Sequence, residues 1–327
     1  MQSKTSTILE CSRIFSLPMT IMSWLVVFTY SVINSGNSLY GILCLVAICF
    51  VHLGTNVLDD YFDYKTLIKQ VDFDKKEYLK NTQKTKCRYL ISGILSEGQV
   101  LGIAGIYFFI ASIIGLFFYI KCGAPVIKFA LAGGIIAVLY SILSKIRLSE
   151  VAVALAYGPI LFGGVNYVMT KTISWEVFVL AIPTMIMTVI LLYIHTVMDF
   201  DYDINEGHYT IANAFDSQLD SLIVLKIFII LAYASLFGIC IFDISDWQVL
   251  IPLVTFPLSI DLYKSMKDFS IDNKLVPEHK WFHYPMENME RIEKLGAESF
   301  MIRMYQSRNL MVYFALFLTL GLVLANL

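Results

Sequence analysis

Long apolar stretches alternate with short polar ones along most of the chain. A helix needs about 20 mostly apolar residues to cross the hydrocarbon core of a bilayer. The pattern therefore predicts an all-α fold, a polytopic membrane bundle of nine transmembrane helices. The predicted spans are residues 16–35, 39–59, 100–121, 124–143, 150–170, 175–197, 220–242, 247–264 and 308–326.

The connections between these spans differ greatly in length. Residues 36–38 form a short turn, whereas residues 60–99, 198–219 and 265–307 form three longer polar segments. Each of these three segments follows an even-numbered span, so all three lie on the same side of the membrane. We expect a single membrane domain over residues 1–327, with these loops placed over a site.

The distribution of Lys and Arg predicts which side the long loops occupy. Twenty of the 24 basic residues fall on the side of those loops, and cytoplasmic loops are the ones enriched in Lys and Arg. We predict that the N-terminus and the long loops are cytoplasmic, and that the C-terminus lies outside the cell's inner (plasma) membrane. Residues 1–12 are polar and show no signal-peptide cleavage pattern.

The composition fits a protein that has membrane lipid as its surroundings. The chain is 57% hydrophobic and 15% charged, with a mean hydropathy of +0.69. Its net charge of -2 gives no reason to expect nucleic acid as a partner. The six cysteines are scattered through mostly apolar stretches, without metal-ligand spacing or a disulfide framework, and we interpret them as core thiols.

A first cluster of acidic residues follows the second span. The stretch NVLDDYFDYK places Asn56, Asp59, Asp60 and Asp63 at positions i, i+3, i+4 and i+7, on one face of a helix. Carboxylates at this depth are costly and usually face the interior of a bundle. Three of them so close together also repel one another unless a cation lies between them.

A second acidic cluster occurs where the sixth span ends. The stretch DFDYD places Asp199 and Asp203 four residues apart, with His195 one turn earlier. Each cluster alone could mark a helix end that enters water, but the repeated spacing on one side favours a metal site. Mg²⁺ binds one or two carboxylates together with substrate phosphate oxygens. The two clusters therefore indicate Mg²⁺ and a diphosphate.

The two halves of the chain resemble each other beyond these clusters. RYLISGILSEGQ follows the first cluster and HYTIANAFDSQ follows the second, and in both a Tyr, an Ile and a small residue precede a Gln. A predicted helix comes next in each case. Together with the equal placement of the clusters, this predicts two four-helix modules plus a ninth span.

From about residue 10 to 260, the chain resembles the UbiA superfamily of intramembrane prenyltransferases. It is most similar to the branch that prenylates 1,4-dihydroxy-2-naphthoate on the way to menaquinone. GTNVLDDYFDYK resembles that branch's TN…NDYxD signature, RYLISGILSEGQV its R…SGxLS…Q segment, and LSEVAVALAYGPILFGG its GE…FGP helix. DFDYDINEGHYTIA resembles the second signature, DxxxD followed by Gly207 and Thr210.

The resemblance implies a Mg²⁺-dependent enzyme with its site at the cytoplasmic mouth of the bundle. An allylic polyprenyl diphosphate would ionise there, and a carbon of an aromatic acceptor, a quinone precursor, would attack the allylic cation. The aspartates of the implied metal site are also the implied catalytic residues. The implied metal ligands are Asn56, Asp60, Asp63, Asp199 and Asp203.

The resemblance also implies residues that contact the substrates. Arg88 and Lys145 fall where the family contacts diphosphate. Tyr140 and Tyr157 are candidate liners whose ring faces can stabilise an allylic cation, and His195 is a candidate for binding the acceptor. For the histidine and the two tyrosines, helix packing is the alternative role. The substrate-binding set is completed by Asn56.

The sequence departs from the family pattern at several positions. Asp59 replaces the Asn that usually precedes the second Asp, and a further family Asp is missing downstream, so that Asp72 or Asp74 is expected to take its role. Residues 281–309 have no counterpart that we can place. Their apolar spacing predicts an amphipathic helix around 287–305, which either lies on the membrane surface or caps the site.

Two other functions stay open at this point. A UbiA-type terpene cyclase would act on the allylic diphosphate without an acceptor. A membrane transporter would also use intramembrane carboxylates, but it would place them in paired broken helices near the middle of the membrane. The clusters of this chain lie at helix ends instead.

Overall fold

The structure is a computed structural model that describes residues 4–70, 73–80, 87–205 and 208–327. Over these residues it is all-helical, apart from one backbone bridge between Ile146 and Tyr209. Nine of the described helices are long and apolar enough to cross a membrane, which confirms the predicted fold class. In chain order, spans 1 to 9 are Ile14–Ile33, Ser38–Leu67, Glu97–Cys122, Pro125–Leu143, Ser149–Thr170, Trp175–Met198, Gln218–Ile241, Trp247–Ile271 and Glu298–Leu324.

Short helices lie in the connections on the side of the long loops, which we call the polar end of the bundle. Lys4–Cys11 precedes span 1, and Phe200–Asn205 follows span 6. Lys75–Lys80 and Arg88–Ile91 lie between spans 2 and 3, and Met289–Lys294 precedes span 9. All of them therefore surround the ends of the spans that carry the acidic clusters.

The packing of the spans repeats between the two halves of the chain. Span 2 packs most extensively on span 3, and span 6 packs equally extensively on spans 5 and 7. Span 9 contacts spans 1, 6 and 8 and so joins the two halves. In the most apolar stretch of span 6, 67% of the residues are buried, compared with 17% in each of spans 2, 3 and 4. Span 6 is therefore central, while the others expose apolar side chains outward.

Local sequence explains where span 3 begins. Ser96 Oγ accepts a hydrogen bond from the Gln99 N–H (3.3 Å), and Gln99 Oε1 accepts one from the Ser96 N–H (2.9 Å). This reciprocal capping box satisfies two of the backbone donors that a helix start leaves unpaired. The motif SEGQ thus fixes the boundary between the first long loop and span 3.

Span 5 is interrupted by one wider turn at Ala156–Ile160, which contains Gly158 and Pro159. Gly158 has φ -96° and ψ -106°, outside the helical range. A Cβ atom at this residue would lie 2.5 Å from Met185 Sδ in span 6, so a larger residue would require the Met185 side chain to move. Such wide turns recur at functional sites, and this one positions Tyr157.

Three helix boundaries lie further into the polar segments than predicted. Span 2 continues to Leu67 and span 8 to Ile271, so the first acidic cluster lies inside a continuous helix and not at its end. Span 9 begins at Glu298 and not at residue 308. Its first turns are polar in sequence but buried in the fold, because neighbouring backbone supplies their hydrogen-bond partners.

Arg303 shows how this burial is possible. Its side chain is 0% exposed, and its guanidinium donates to the carbonyl oxygens of Ser265 (2.9 Å), Leu275 (3.0 Å) and Ser299 (2.7 Å). It also lies over the ring of Phe269, 4.9 Å from the centroid. A hydropathy pattern does not record such partners, and therefore it placed the start of the span too late.

The predicted amphipathic helix at 287–305 is two helices. Met289–Lys294 ends before Gly296, whose φ of +62° breaks the helix, and the remainder belongs to span 9. Arg291 and Ile292 of the short helix line the cavity described below. The structure thus favours the capping position over a position on the membrane surface.

The orientation of the bundle can be tested with single cysteines at exposed positions. We expect a membrane-impermeant maleimide to label Lys171→Cys on intact cells, because the turn after span 5 lies at the end opposite the long loops. Lys76→Cys and Glu278→Cys, in the first and last long loops, should be labelled only after permeabilisation. Labelling of either loop position from outside would reverse the predicted topology.

Candidate active site

A single large cavity opens at the polar end and extends between the spans. Its volume is about 2710 Å³, well above the roughly 300–1,000 Å³ of a typical small-molecule pocket. Each of the ten site residues predicted from the sequence lines this cavity. They are Asn56, Asp60, Asp63, Arg88, Tyr140, Lys145, Tyr157, His195, Asp199 and Asp203. The cavity has room for two substrates side by side.

Arg13 lies against the first acidic cluster, just before span 1. Its guanidinium contacts the Asp60 carboxylate directly and lies 3.6 Å from Asp59 Oδ2. Burial alone would lower the pKa of Arg13, but the Asp60 and Asp59 carboxylates outweigh this effect and raise that pKa above its usual value. Arg13 is therefore the cation that reduces the mutual repulsion of the first two carboxylates.

Tyr89 binds the same carboxylate from the other side. Its hydroxyl donates to Asp60 Oδ2 at 3.0 Å. Burial, and after it the negative charge of Asp60, raises the pKa of Tyr89, so this phenol stays protonated and remains a donor. Asp60 is 3% exposed and Asp59 is 5% exposed. Asp59, which stands where the family usually has Asn, is thus buried beside Arg13 and is not a solvated neighbour of the site.

Lys145 connects the two halves of the site. Its Nζ lies 3.0 Å from Asp63 Oδ1 and donates to Thr66 Oγ1 at 3.1 Å. Its backbone carbonyl accepts from the Tyr209 N–H at 3.3 Å, next to the bridge between Ile146 and Tyr209. The loop that follows span 4 therefore links the first acidic cluster to the segment that follows the second.

Histidines accompany the second acidic cluster. His195 Nδ1 lies 3.1 Å from Asp199 Oδ2, and His208 Nδ1 lies 3.7 Å from Asp203 Oδ1. Asp199 ends span 6, and Asp203 lies in the next short helix at 8% exposure, whereas Asp201 is exposed. Both Asp201 and Asp203 line the cavity, and they differ in how far they are buried.

The oxygen donors of the two acidic clusters determine whether the site fits Mg²⁺. Within the described ranges, no three His, Cys, Asp or Glu side chains come close enough to hold an ion by themselves. Mg²⁺ in phosphate-binding sites uses one or two carboxylates together with phosphate oxygens, and it keeps several waters. The oxygen donors of the two clusters, which line one cavity, fit that mode of binding and not a closed protein cage.

Arg88 and the apolar part of the cavity lie around these groups. Arg88 lines the cavity and donates from Nη2 to the Leu79 carbonyl oxygen at 2.5 Å. Further from the polar end, the lining becomes apolar, and it includes Leu116 and Leu131 of spans 3 and 4. These two side chains are 58% and 60% exposed, so this wall of the cavity reaches the lipid-facing surface.

The chain between spans 8 and 9 covers the cavity from the polar side. His283 is 3% exposed, and its Nε2 lies 2.8 Å from Asp261 Oδ2, while Lys280 contacts the other oxygen of Asp261. Asn309 of span 9 donates to the His283 carbonyl oxygen. These contacts attach the segment 280–285 to the bundle, and the following helix Met289–Lys294 lies over the cavity.

Some parts of the sequence prediction are not placed at the site. Asp74 is exposed and accepts from the Lys76 N–H (2.7 Å) at the start of a short helix, outside the cavity lining. It therefore does not take the role of the missing family Asp. Asp72, Glu206 and Gly207 lie outside the described residues.

Other cavity-lining residues were missed by the sequence analysis. Arg13 lies outside the motifs quoted above, and Tyr89 and His208 lie within them but are not among the predicted site residues. His52 carried a usable signal, because it lies one turn before Asn56 on the same helix face. Its ring bonds to Tyr157, which the sequence analysis had selected as a candidate liner.

Removing Arg13 should destabilise the protein measurably. Arg13→Gln leaves Asp59 and Asp60 buried without their counter-ion, and breaking a buried pair in this way costs about 3 kcal/mol. We expect a lower Tm in detergent, partly restored by added Mg²⁺. Arg291→Gln is the control. Arg291 is 67% exposed and lies 3.8 Å from Glu10, so its loss should leave Tm unchanged. Equal Tm values for the Arg13 variant and the wild type would contradict the assigned role.

Comparison with known proteins gives a family match and several structures of similar fold. The UbiA prenyltransferase family model matches residues 16–284. A solved structure concerned with digeranylgeranylglyceryl phosphate synthase in membranes shares 16% identity and a TM-score of 0.60, covering 98% of this chain and 99% of that one. No curated protein matches the chain by sequence.

Two archaeal structures have the same fold. A UbiA homolog from Archaeoglobus fulgidus bound to GPP and Mg²⁺ shares 13% identity, with a TM-score of 0.60 over 92% of this chain and 98% of that one. An apo UbiA homolog from Aeropyrum pernix K1 shares 14% identity, with a TM-score of 0.61 over 94% and 98%. Because the family model matches most of the chain, the protein belongs to the UbiA prenyltransferase family.

Proposed function

We propose that this protein transfers a polyprenyl group from an allylic polyprenyl diphosphate to an aromatic acceptor, in a Mg²⁺-dependent reaction. The observation that carries the proposal is one cavity with two chemically distinct parts. Its polar end collects the carboxylates of both halves and the basic groups Lys145 and Arg88, and its other part is apolar and reaches the lipid-facing surface. A substrate with a charged head and a long apolar tail fits this division.

The polar end would bind the diphosphate. Asn56, Asp60, Asp63, Asp199 and Asp203 are the proposed ligands of Mg²⁺, the metal named for the GPP-bound relative. When bound, the metal would neutralise charge on the diphosphate and make it a better leaving group. Lys145 would add positive charge at the same end, since its Nζ is within reach of both Asp63 and the cavity. Arg88 is positioned to do the same from the loop before span 3.

The apolar part would hold the polyprenyl tail and the cation formed from it. Tyr140 and Tyr157 line the cavity, and aromatic faces attract cations more strongly where water is excluded. Exclusion of water also protects the allylic cation from hydrolysis. His195, next to Asp199, would contact the acceptor as it enters beneath the covering helix Met289–Lys294. We propose a precursor of a menaquinone-like quinone as this acceptor.

The proposal can be tested with purified protein in detergent or liposomes. We expect geranylgeranyl or a longer diphosphate, Mg²⁺ and a panel of hydroxylated aromatic acids to yield a prenylated acid and free diphosphate. Mass spectrometry identifies the acceptor and the product. Excess EDTA should abolish the reaction, because the carboxylates would then hold no metal against the diphosphate.

Other outcomes of this assay are equally informative. A new hydrocarbon or alcohol formed from the diphosphate alone, with no aromatic product, would identify a cyclase. Full turnover in excess EDTA would refute the metal-dependent reaction. No consumption of any allylic diphosphate would refute the proposed function as a whole.

The two acidic clusters should differ from their neighbours in mutagenesis. Asp60→Asn and Asp203→Asn should lower turnover by about a hundredfold or more, a usual size for the loss of an electrostatic group that stabilises the transition state. Asp201→Asn is the matched control, since Asp201 is exposed and only two residues from Asp203. We expect it to cost much less. Equal losses at Asp201 and Asp203, with all variants folded in detergent, would show that the second site is assigned wrongly.

A further inference from the structure

A polar cluster lies inside the bundle, away from the carboxylates. Its centre is His52 in span 2, a half-buried side chain that lines the cavity. The Nε2 atom of His52 lies 2.7 Å from Ser16 Oγ, and the Nδ1 atom lies 2.5 Å from Thr20 Oγ1 and 2.8 Å from the Tyr157 hydroxyl. Spans 1 and 5 thus bring three hydroxyl groups to one imidazole of span 2.

The hydrogen bonds of Ser16 fix the tautomer of this imidazole. The Ser16 hydroxyl donates to the Arg13 carbonyl oxygen at 2.7 Å, and Ser16 Oγ accepts from Asn56 Nδ2 at 3.2 Å. With the single Ser16 hydroxyl hydrogen in the bond to Arg13, we assign the His52 proton to Nε2, which then donates to Ser16 Oγ. In a neutral imidazole, the Nδ1 atom then carries the lone pair.

This lone pair faces more hydroxyl groups than it can accept from. Thr20 Oγ1 and the Tyr157 hydroxyl lie 3.3 Å apart, and both lie within hydrogen-bonding distance of His52 Nδ1. One of them donates to Nδ1, and the other can donate to its neighbour. Tyr157 lies on the wide turn of span 5 and lines the cavity. A hydroxyl of a ligand in the cavity can therefore replace one partner without leaving any polar group unpaired.

The depth of the cluster suits the second substrate. His52 precedes Asp60 by eight residues in one helix, which at about 1.5 Å per residue places it about 12 Å further from the polar end. The reacting carbon of an allylic diphosphate follows directly after the phosphates, so it would lie between these two levels. An aromatic ring beside that carbon would place its substituents near His52.

We propose that His52, Thr20 and Tyr157 form the subsite for a hydroxyl group of the aromatic acceptor, with His52 Nδ1 as the base for that hydroxyl. This inference rests on the proposed function. Within the described part of the cavity lining, the cluster joins a basic nitrogen with hydroxyl donors in apolar surroundings, which is the chemistry that recognises a phenol. A site built to bond a hydroxyl rejects analogues that lack one far more strongly than an apolar pocket does.

The proposed prenyl transfer conserves atoms, electrons and protons. The acceptor O–H proton passes to His52 Nδ1, and the oxygen electron pair moves into the ring. A ring carbon forms a bond to the allylic carbon, whose C–O bond breaks so that the diphosphate leaves with that electron pair. The ring then loses its C–H proton to the departing diphosphate, and the oxygen recovers a proton from the imidazolium. One proton is released overall, and His52 returns to its neutral form.

The test crosses an enzyme variant with a change in the acceptor. The probes are 1,4-dihydroxy-2-naphthoate and its two mono-O-methyl ethers, or the same pair for whichever hydroxylated acceptor the wild type uses best. The variant is His52→Gln, whose amide can still donate to Ser16 but provides no basic nitrogen. We expect the wild type to prefer the free hydroxyl over one of the ethers by at least about 100-fold in kcat/KM.

His52→Gln should lower kcat/KM about 100-fold for the hydroxylated acceptor, a usual contribution of a general base, and change it little for that ether. The preference should therefore nearly disappear. Tyr157→Phe should reduce the preference by a smaller factor, and it serves as the readout if His52→Gln does not fold. His279→Gln is the matched control, because His279 is an exposed histidine outside the cavity lining. It should behave like the wild type.

Other results would overturn the inference. A merely structural role predicts equal losses for the hydroxylated acceptor and its ether in His52→Gln. No preference in the wild type, or release of diphosphate without transfer to any hydroxylated aromatic, would also exclude the subsite, while leaving the diphosphate site intact. Absence of diphosphate consumption in the wild type would instead refute the proposed function, and this inference with it.

Discussion

The balance of charge at the polar end is the constraint on which the rest of the structure depends. Two unit charges 4 Å apart near a protein surface interact by about 4 kcal/mol, a large fraction of the stability of most proteins. Unbalanced carboxylates would therefore push spans 2 and 6 away from the interior. Arg13 and Lys145 lie against the first cluster, and two histidines lie against the second. Arg13 and Lys145 come from parts of the chain distant from Asp60 and Asp63, so the polar end must close around the site for these charges to pair.

The same arrangement explains why the cavity can be both polar and deep. Its charged end is bordered by loops and short helices, and its inner part is bordered by spans with apolar side chains. The helix of span 5 has a wider turn at Gly158, and Tyr157 in this turn contacts His52. The polar groups around His52 form hydrogen bonds with one another. Buried polar groups are tolerated in apolar surroundings when all of them have partners. The bundle therefore carries two polar levels separated along span 2.

Much of the fold was predictable because lipid imposes a simple rule on sequence. Nine apolar stretches gave nine spans, and the helical spacing of the aspartates placed both clusters in one cavity. The partners of those aspartates were not predictable in the same way. Arg13 reaches Asp60 across 47 positions of sequence, and the contact depends on how span 1 packs on span 2. Likewise, Arg303 looks like a loop residue until the carbonyl groups that surround it are known.

The polar first half of span 9 has a consequence for how the protein is made. The Arg303 guanidinium lacks these partners when a helix enters lipid alone, and only the assembled bundle offers it the carbonyl groups of Ser265 and Leu275 and the Phe269 ring. Span 9 packs on spans 1, 6 and 8, all of which precede it in the chain. These partners are therefore synthesised before span 9. The order of the spans along the chain thus matches the dependence of span 9 on spans 1, 6 and 8, which would receive its polar first turns in place of lipid.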